Sequence, residues 1–330
     1  MGIRNLNSFL QKNASNAIKS IPLKDLSGKK IAVDVSIYMY KFLYHNSLIE
    51  SIYLMLSIFR THNITPIFVF DGKAPEEKRE LINQRNSIKV NAEDEYNKLN
   101  ELLQDDSKNA VERKDIMHHM KMLKKRLISV KRSDIDTVKQ LIQSCGATYY
   151  DAPGEADVVC ALLTIENKVW ACLSEDTDMF VYGCPRVLRY LNLATQTVSL
   201  YDFKKIVNKL KVSPKEFREI CVLSGTDYNC NREISLYTCM DSFKKYKEAN
   251  THMDFYDWIQ TQEQRDVDID SESIQRVKQI CTMFDLKNSA SPDFIQTVRR
   301  LNIANRSSNQ SEIEKILKAD GFIFPPKNDL

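Results

Sequence analysis

Glycine and proline are scarce in this 330-residue chain, at 8 and 9 residues, which excludes collagen-like and Gly/Pro-rich low-complexity organisation. No apolar run approaches the roughly 18 residues that a membrane span needs. The best one, residues 52–59, is interrupted by Ser57. The first eleven residues lack the apolar centre of a secretory signal, and Leu6 stands where an N-myristoylation signal has Ser or Thr. The expectation is an intracellular protein with no membrane partner. The eight cysteines include no C-x-x-C pair and no His at zinc-ligand spacing, so reduced and mostly buried thiols are expected. A net charge of +3 is too small to imply a nucleic-acid partner by itself. With 43% apolar and 28% charged residues, the chain has the composition of one or two globular domains.

Four short runs rich in β-branched and aromatic residues show no polar alternation: Ile31-Ala32-Val33-Asp34-Val35, residues 64–71, residues 147–151 and Val169-Trp170-Ala171-Cys172-Leu173. That pattern belongs to strands covered on both faces of a parallel sheet. Helical stretches such as residues 156–166 separate them, so the expected fold class is α/β, with a mainly parallel, doubly wound sheet. Between Pro75 and Gly146 lie 70 residues with neither Gly nor Pro, rich in Glu, Lys, Leu, Gln and Arg. They read as long helices, and they exceed what one crossover requires. The expected organisation is a core over residues 1–213, a helical insertion at 76–144, and a helical C-terminal region at 214–330. The boundary falls near 205–213.

Acids punctuate the strand ends. Asp34 and Asp71 close two runs, Glu155 and Asp157 follow the third, Asp176 and Asp178 follow the fourth, and Asp227 follows an expected helix end. In a doubly wound sheet these positions converge on one crevice at the carboxyl edge. Each acid taken singly also fits a helix cap or turn former. Taken together, so many carboxylates repel one another unless protons or cations intervene. Oxygen-only ligands favour Mg²⁺ or Mn²⁺ over zinc, and a pair of such ions roughly 3.5–4 Å apart suits hydrolysis of a phosphate ester.

Met1-Gly2-Ile3, Ile31-Ala32-Val33-Asp34-Val35-Ser36, Val69-Phe70-Asp71-Gly72-Lys73-Ala74-Pro75, Ala152-Pro153-Gly154-Glu155-Ala156-Asp157, Glu175-Asp176-Thr177-Asp178 and Leu223-Ser224-Gly225-Thr226-Asp227-Tyr228 together resemble the signature segments of the flap endonucleases, in the XPG-type family of structure-specific 5′ nucleases. The resemblance covers roughly residues 1–230. It implies a PIN-like nuclease core with two Mg²⁺ ions, for which Mn²⁺ can substitute. Asp34, Asp71 and Glu155 would serve one ion and Asp176, Asp178 and Asp227 the other, with Asp157 touching both where the family usually has Glu. Asp34, Asp157 and Asp178 would act in catalysis with Lys78 and Arg85.

Lys78 and Arg85 stand seven residues apart and so share one helical face. The resemblance places them at the scissile phosphate; two solvated surface charges fit the sequence alone. The insertion corresponds to a helical arch. Its basic second half, including Lys121, Lys124, Lys125, Arg126, Lys131 and Arg132, would contact phosphates of a single-stranded 5′ end, although a solvated helical face accounts for the same residues. Tyr40 would stack on a base, or else belongs to the core, and Gly2 would lie near the site. His118 and His119 are adjacent and make a poor metal pair. Two departures stand out. Arg232-Glu233-Ile234-Ser235-Leu236-Tyr237 lacks the glycines of the family's helix-two-turn-helix hairpin, leaving Lys244 and Lys245 as weaker duplex contacts. Only about thirty residues separate Tyr40 from Asp71, which shortens the wedge between duplexes.

The expected function is cleavage of DNA at a 5′ flap, nick or junction in replication or repair. The alternatives are an exonucleolytic or RNA-directed 5′ nuclease, or a catalytically idle clamp. A monomer is expected, located in the nucleus or at a site of viral DNA replication. No sliding-clamp-binding peptide is visible.

Overall fold

Seven strands form one sheet in the order β1-β7-β6-β5-β2-β3-β4, where β1 is Ile18–Pro22, β2 Lys30–Asp34, β3 Thr65–Phe70, β4 Thr148–Asp151, β5 Ala171–Leu173, β6 Arg186–Asn192 and β7 Thr197–Asp202. The computed structural model describes residues 2–104, 109–229, 234–262 and 269–324. The four apolar runs are β2 to β5, and they lie parallel with β6. β7 runs antiparallel to β6, and β1 antiparallel to β7. The α/β, mainly parallel reading therefore holds. β2 is the middle one of the five parallel strands, with Ile31, Ala32 and Val33 fully buried between two helical layers. The chain adds β3 and β4 on one side of β2 and then β5 and β6 on the other. The topological switch falls between β2 and β5, where a doubly wound sheet opens a crevice.

The antiparallel edge of β1, β6 and β7 was not expected. β6 and β7 mix buried and exposed positions with polar side chains between, so they lack the continuous apolar run that marks a strand buried on both faces.

One face of the sheet packs against helices Val35–Tyr44, Leu48–Thr61, Arg132–Ser144 and Gln310–Ala319. The other face packs against Leu6–Asn13, Ala156–Ile165 and the C-terminal helices Pro214–Leu223, Leu236–Ala249, Phe255–Thr261 and Ser271–Met283. This second interior runs without a break from Leu6 and Leu162 to Phe217, Phe243 and Ile303, across the boundary expected near 205–213. A strap then carries the chain around the β4 edge. Arg306 N donates to Gly146 O at 2.7 Å and Asn309 N to Ser144 O at 2.7 Å. Gly146 is required there: its φ is +73°, and a Cβ would lie 2.4 Å from the Arg306 carbonyl oxygen.

The insertion begins as two long helices, Arg79–Leu103 and Ala110–Leu127, that pack against each other. They bury only Leu81, Ala92, Met120 and Leu123. The second starts at a capping box in which Asn109 and Glu112 satisfy each other's backbone N–H groups. Arg132–Ser144, which the sequence reading grouped with the insertion, instead buries Val138, Leu141 and Ile142 against the sheet. The projecting part thus ends near Leu127, because apolar residues at i, i+3 and i+4 return the following helix to the core. Among the described residues, no helix is long and apolar enough to cross a membrane. The seven described cysteines are free thiols.

Candidate active site

The carboxyl edge collects the acids. Asp34 ends β2, and Ser174, one residue past β5, donates its hydroxyl to Asp34 Oδ2 at 2.9 Å. The same Ser174 oxygen accepts from Asp176 N at 3.1 Å, and Asp176 Oδ1 accepts from Asp178 N at 2.9 Å. Asp71, exposed just after β3, accepts from Ala156 N at 2.9 Å and so ties β3 to the turn that carries Glu155 and Asp157. Asp227 reaches the cluster from the loop that follows Pro214–Leu223. Sequence reasoning missed Ser174. Its only signal is a hydroxyl placed between a strand end and an acid pair.

Simple capping does not account for these acids. Asp34 and Glu155 each occupy an N-cap position, yet neither side chain bonds its own helix. Asp71 and Asp157 do accept helix N–H groups, from Ala156 and Val158. Asp178 is fully buried, and neither of its carboxylate oxygens has a hydrogen-bond partner among the described residues. A buried ionised group without a partner is costly, so it calls for a proton or a cation.

Burial, followed by the charges of Asp71 and Asp176, pushes Asp34 up to about 8, with the Ser174 hydrogen bond opposing. Burial and then Glu155 hold Asp157 well above the ordinary carboxylate range, and burial and then Asp176 do the same for Asp178. Asp176 is raised chiefly by burial. Asp227 acts on both Asp176 and Asp178, so all seven acids share one electrostatic field. Two of them meet a cation: Lys78 Nζ lies 2.6 Å from Glu155 Oε1, and Arg85 Nη2 lies 3.1 Å from Asp227 Oδ2. Burial works against the Lys78 ammonium, but Asp157 and Glu155 outweigh it and keep that group protonated. Among the described residues, no lysine or arginine pairs with Asp34, Asp71, Asp157, Asp176 or Asp178.

Among the described residues, no three acids close on one point as a ready-made cage. They line the carboxyl edge as an open cluster whose members act on one another's charge. The donor set consists of carboxylate oxygens and fits hard divalent cations, and the unpartnered Asp178 oxygens are open to a proton or to such an ion. The chain start approaches the acids tightly: at φ +72°, a Cβ on Gly2 would fall 2.3 Å from Asp176 Oδ1 and 2.6 Å from Asp178 Oδ1.

A pH dependence follows. Asp34 titrates near 8 in the fold, against an ordinary value of 3.8. Its protonated form is therefore favoured by folding, and the stability it contributes is complete below about pH 4 and lost as pH rises through about 8. Thermal melts in EDTA should show the wild type losing stability relative to Asp34→Asn across that window. Mg²⁺ should raise the wild-type Tm more at pH 8 than at pH 6. A wild type that gains on Asp34→Asn as pH rises would contradict the assignment.

Lys78 and Arg85 both face the cluster, at the foot of the first arch helix. Tyr228, another residue whose role sequence reasoning missed, donates its hydroxyl to Glu155 Oε2 at 2.5 Å and places its ring 4.6 Å from Lys78 Nζ. Its only sequence signal is an aromatic next to the last aspartate. Tyr40 is 50% exposed while Tyr38 is buried, so Tyr38, not Tyr40, is the core tyrosine. Lys121, Lys124, Lys125, Arg126, Lys131 and Arg132 are all exposed. Lys125 Nζ lies 4.9 Å from the Tyr44 ring, on the helix that carries Tyr40. His119 Nε2 instead lies 3.3 Å from Glu95 Oε1. Far along the chain, Lys244 bonds Asp241 at 2.8 Å and Lys245 is exposed. Arg232 and Glu233 of the altered hairpin lie outside the described residues.

A mainly parallel α/β sheet with carboxylates gathered at its topological switch and a helical hairpin rising beside them defines the class. The XPG N-terminal domain matches residues 1–92, and the XPG I-region matches residues 146–227. Flap endonuclease 1 of Lodderomyces elongisporus is 30% identical over 279 residues, covering 76% of this chain and 70% of the relative. Flap endonuclease 1-A of Sorghum bicolor is 32% identical over 247 residues, covering 69% of this chain and 62% of the relative. The chain belongs to the XPG-type family that includes the flap endonucleases. It spans less than two thirds of the length of the sorghum and maize relatives. The fold is shared with the catalytic core of Rad2 in complex with DNA substrate, at TM-score 0.60 and 21% identity over 96% of this chain and 95% of that one. It is also shared with the Holliday junction-resolving enzyme GEN1 in complex with product DNA and Mg²⁺, at TM-score 0.63 and 17% identity over 94% and 72%.

Proposed function

We infer that this chain is a divalent-metal-dependent 5′ nuclease that hydrolyses a DNA phosphodiester close to a junction of single and double strand, leaving 5′-phosphate and 3′-hydroxyl ends. The observation that carries this reading is Asp178: fully buried, unpartnered at both oxygens, and set among acids that repel it. Family membership and the DNA complexes of the structural neighbours support the same substrate class. Asp34, Asp71 and Glu155 would hold one cation, Asp176, Asp178 and Asp227 a second, and Asp157 would touch both. Mg²⁺, or Mn²⁺ in its place, supplies an activated water and neutralises charge on the phosphate.

The protein's own groups do the rest. Ser174 orients Asp34 and the acid loop. Tyr228 and Glu155 hold Lys78 at the rim, where its ammonium can meet a phosphate oxygen. Arg85, more than half exposed and resting on Asp227, offers a two-pronged donor from the same helix face. Tyr40 presents an open ring for a base, and the exposed arch lysines and arginines give sequence-independent contacts to a single strand. The setting is replication or repair, in the nucleus or at a site of viral DNA synthesis.

End-labelled flap, nicked duplex, blunt duplex, single strand and RNA, each incubated with Mg²⁺ and with Ca²⁺, test the reading. Cleavage with Mg²⁺, strongest on flap or nick and absent with Ca²⁺, is expected. A ladder of single nucleotides would make the enzyme an exonuclease, and preference for RNA would change its substrate. A panel inert with every cation would overturn the enzymatic reading in favour of a binding clamp.

A further inference from the structure

Arg189 is 5% exposed, in a strand whose other buried residues, Val187, Leu188 and Leu191, are apolar. The strand is irregular there: the register with β7 shifts between Arg189 and Asn192, and Tyr190 adopts φ +57°. Such bulges re-aim a side chain, and this one turns the guanidinium toward the acid loop. Arg189 Nη2 donates to the Glu175 carbonyl oxygen at 2.7 Å, and Nη1 donates to Asn7 Oδ1 at 2.7 Å. Nε stands 3.7 Å from Glu175 Oε2, with no hydrogen-bond partner among the described residues. The other Glu175 oxygen accepts from Tyr190 N at 2.7 Å, and Asn7 Oδ1 also accepts from the Tyr201 hydroxyl at 2.8 Å. The guanidinium carbon lies 5.1 Å from the Tyr190 ring centre and 5.7 Å from that of Tyr201.

Glu175 directly precedes Asp176, and Asn7 belongs to the helix that begins just after Gly2 and Ile3. One buried cation thus grips both segments that meet at Asp178. Resting on the metal-dependent reading above, we propose that Arg189 is a positioning residue that sets metal affinity, by locking the 174–178 loop and the chain start into the geometry that presents Asp176 and Asp178 to a cation. Burying a guanidinium costs free energy, and a purely apolar contact would stabilise the strand as well. The planar fork holds a carbonyl and an amide oxygen from two nitrogens in one fixed geometry, which the single rotatable ammonium of a lysine does not reproduce.

Calorimetric titration of the DNA-free protein with Mn²⁺ tests this. Arg189→Met should raise the Mn²⁺ dissociation constant about 10- to 100-fold, the usual effect of losing a group that orients a metal's ligands, while KM for the DNA stays within about threefold. Arg189→Lys should fall between Met and wild type. Arg186→Ala is the control. Arg186 opens β6, 4.9 Å from the Trp170 ring and bonded to the Trp170 carbonyl oxygen, away from the acid loop, so its loss should lower Tm and leave Mn²⁺ affinity unchanged.

Wild-type Mn²⁺ affinity in Arg189→Met, with only a lower Tm, would overturn the inference. Should that variant not fold, Arg189→Lys decides it in the same way, measured below its melting temperature. A wild type that binds no Mn²⁺ and cleaves nothing would instead overturn the metal-dependent reading, and the role of Arg189 with it.

Discussion

Asp178→Asn is expected to abolish cleavage, by roughly 10³-fold or more in turnover, at the upper end of what loss of one preorganised charged group costs, while DNA affinity stays within a few-fold. The physical reason is specific to this carboxylate. It is fully buried, unpartnered, and pressed by Asp176, Asp157 and Asp227, so it does little for the metal-free fold and its value lies in the cation it can share. A second consequence separates this account from a structural one. The amide has nearly the same volume and no charge, so the metal-free variant should melt no lower than the wild type in EDTA, whereas a merely structural aspartate would destabilise on replacement. Wild-type turnover in Asp178→Asn, or an EDTA melt several degrees below wild type, would sink the assignment. Asp34→Asn should behave alike in turnover, with its amide oxygen still accepting the Ser174 hydroxyl.

Lys78→Ala should slow cleavage roughly 10²- to 10³-fold, as expected for a donor aimed at developing phosphate charge, with a much smaller change in DNA affinity. The argument rests on confinement. Lys78 is nearly buried, ion-paired with Glu155, and seated over the Tyr228 ring. A lysine used only as a phosphate anchor would stand in solvent, as the arch lysines do. Single-turnover rates and equilibrium binding on one flap substrate give both numbers. Equal losses in rate and affinity would reduce Lys78 to an anchor. Tyr228→Phe should give a milder loss of rate, because it removes the hydroxyl bond to Glu155 and keeps the ring beneath the ammonium.

How far the sequence could be read follows from burial. β2, β3 and β5 are covered on both faces, so their apolar runs are continuous and the acids after them are easy to place. The edge formed by β1, β6 and β7 mixes buried and polar positions, and with it went Arg189, which looks like any surface strand arginine. Tyr38 and Tyr40 are two residues apart in one helix, and only packing tells which ring is inside. Arg132–Ser144 shares the composition of the arch, yet its apolar stripe faces the sheet.

The order of residues determined that carboxylates would follow successive parallel strands and that a long helical excursion would interrupt them, because these depend on local pattern and on the geometry every parallel sheet shares. Tertiary structure alone decided which acids meet a lysine or arginine and which stand bare, that Ser174 and Tyr228 support them, that the chain start touches Asp176, and that the last helix returns around β4. Those are contacts between residues far apart along the chain, created when burial forces distant segments to satisfy one another's polar groups.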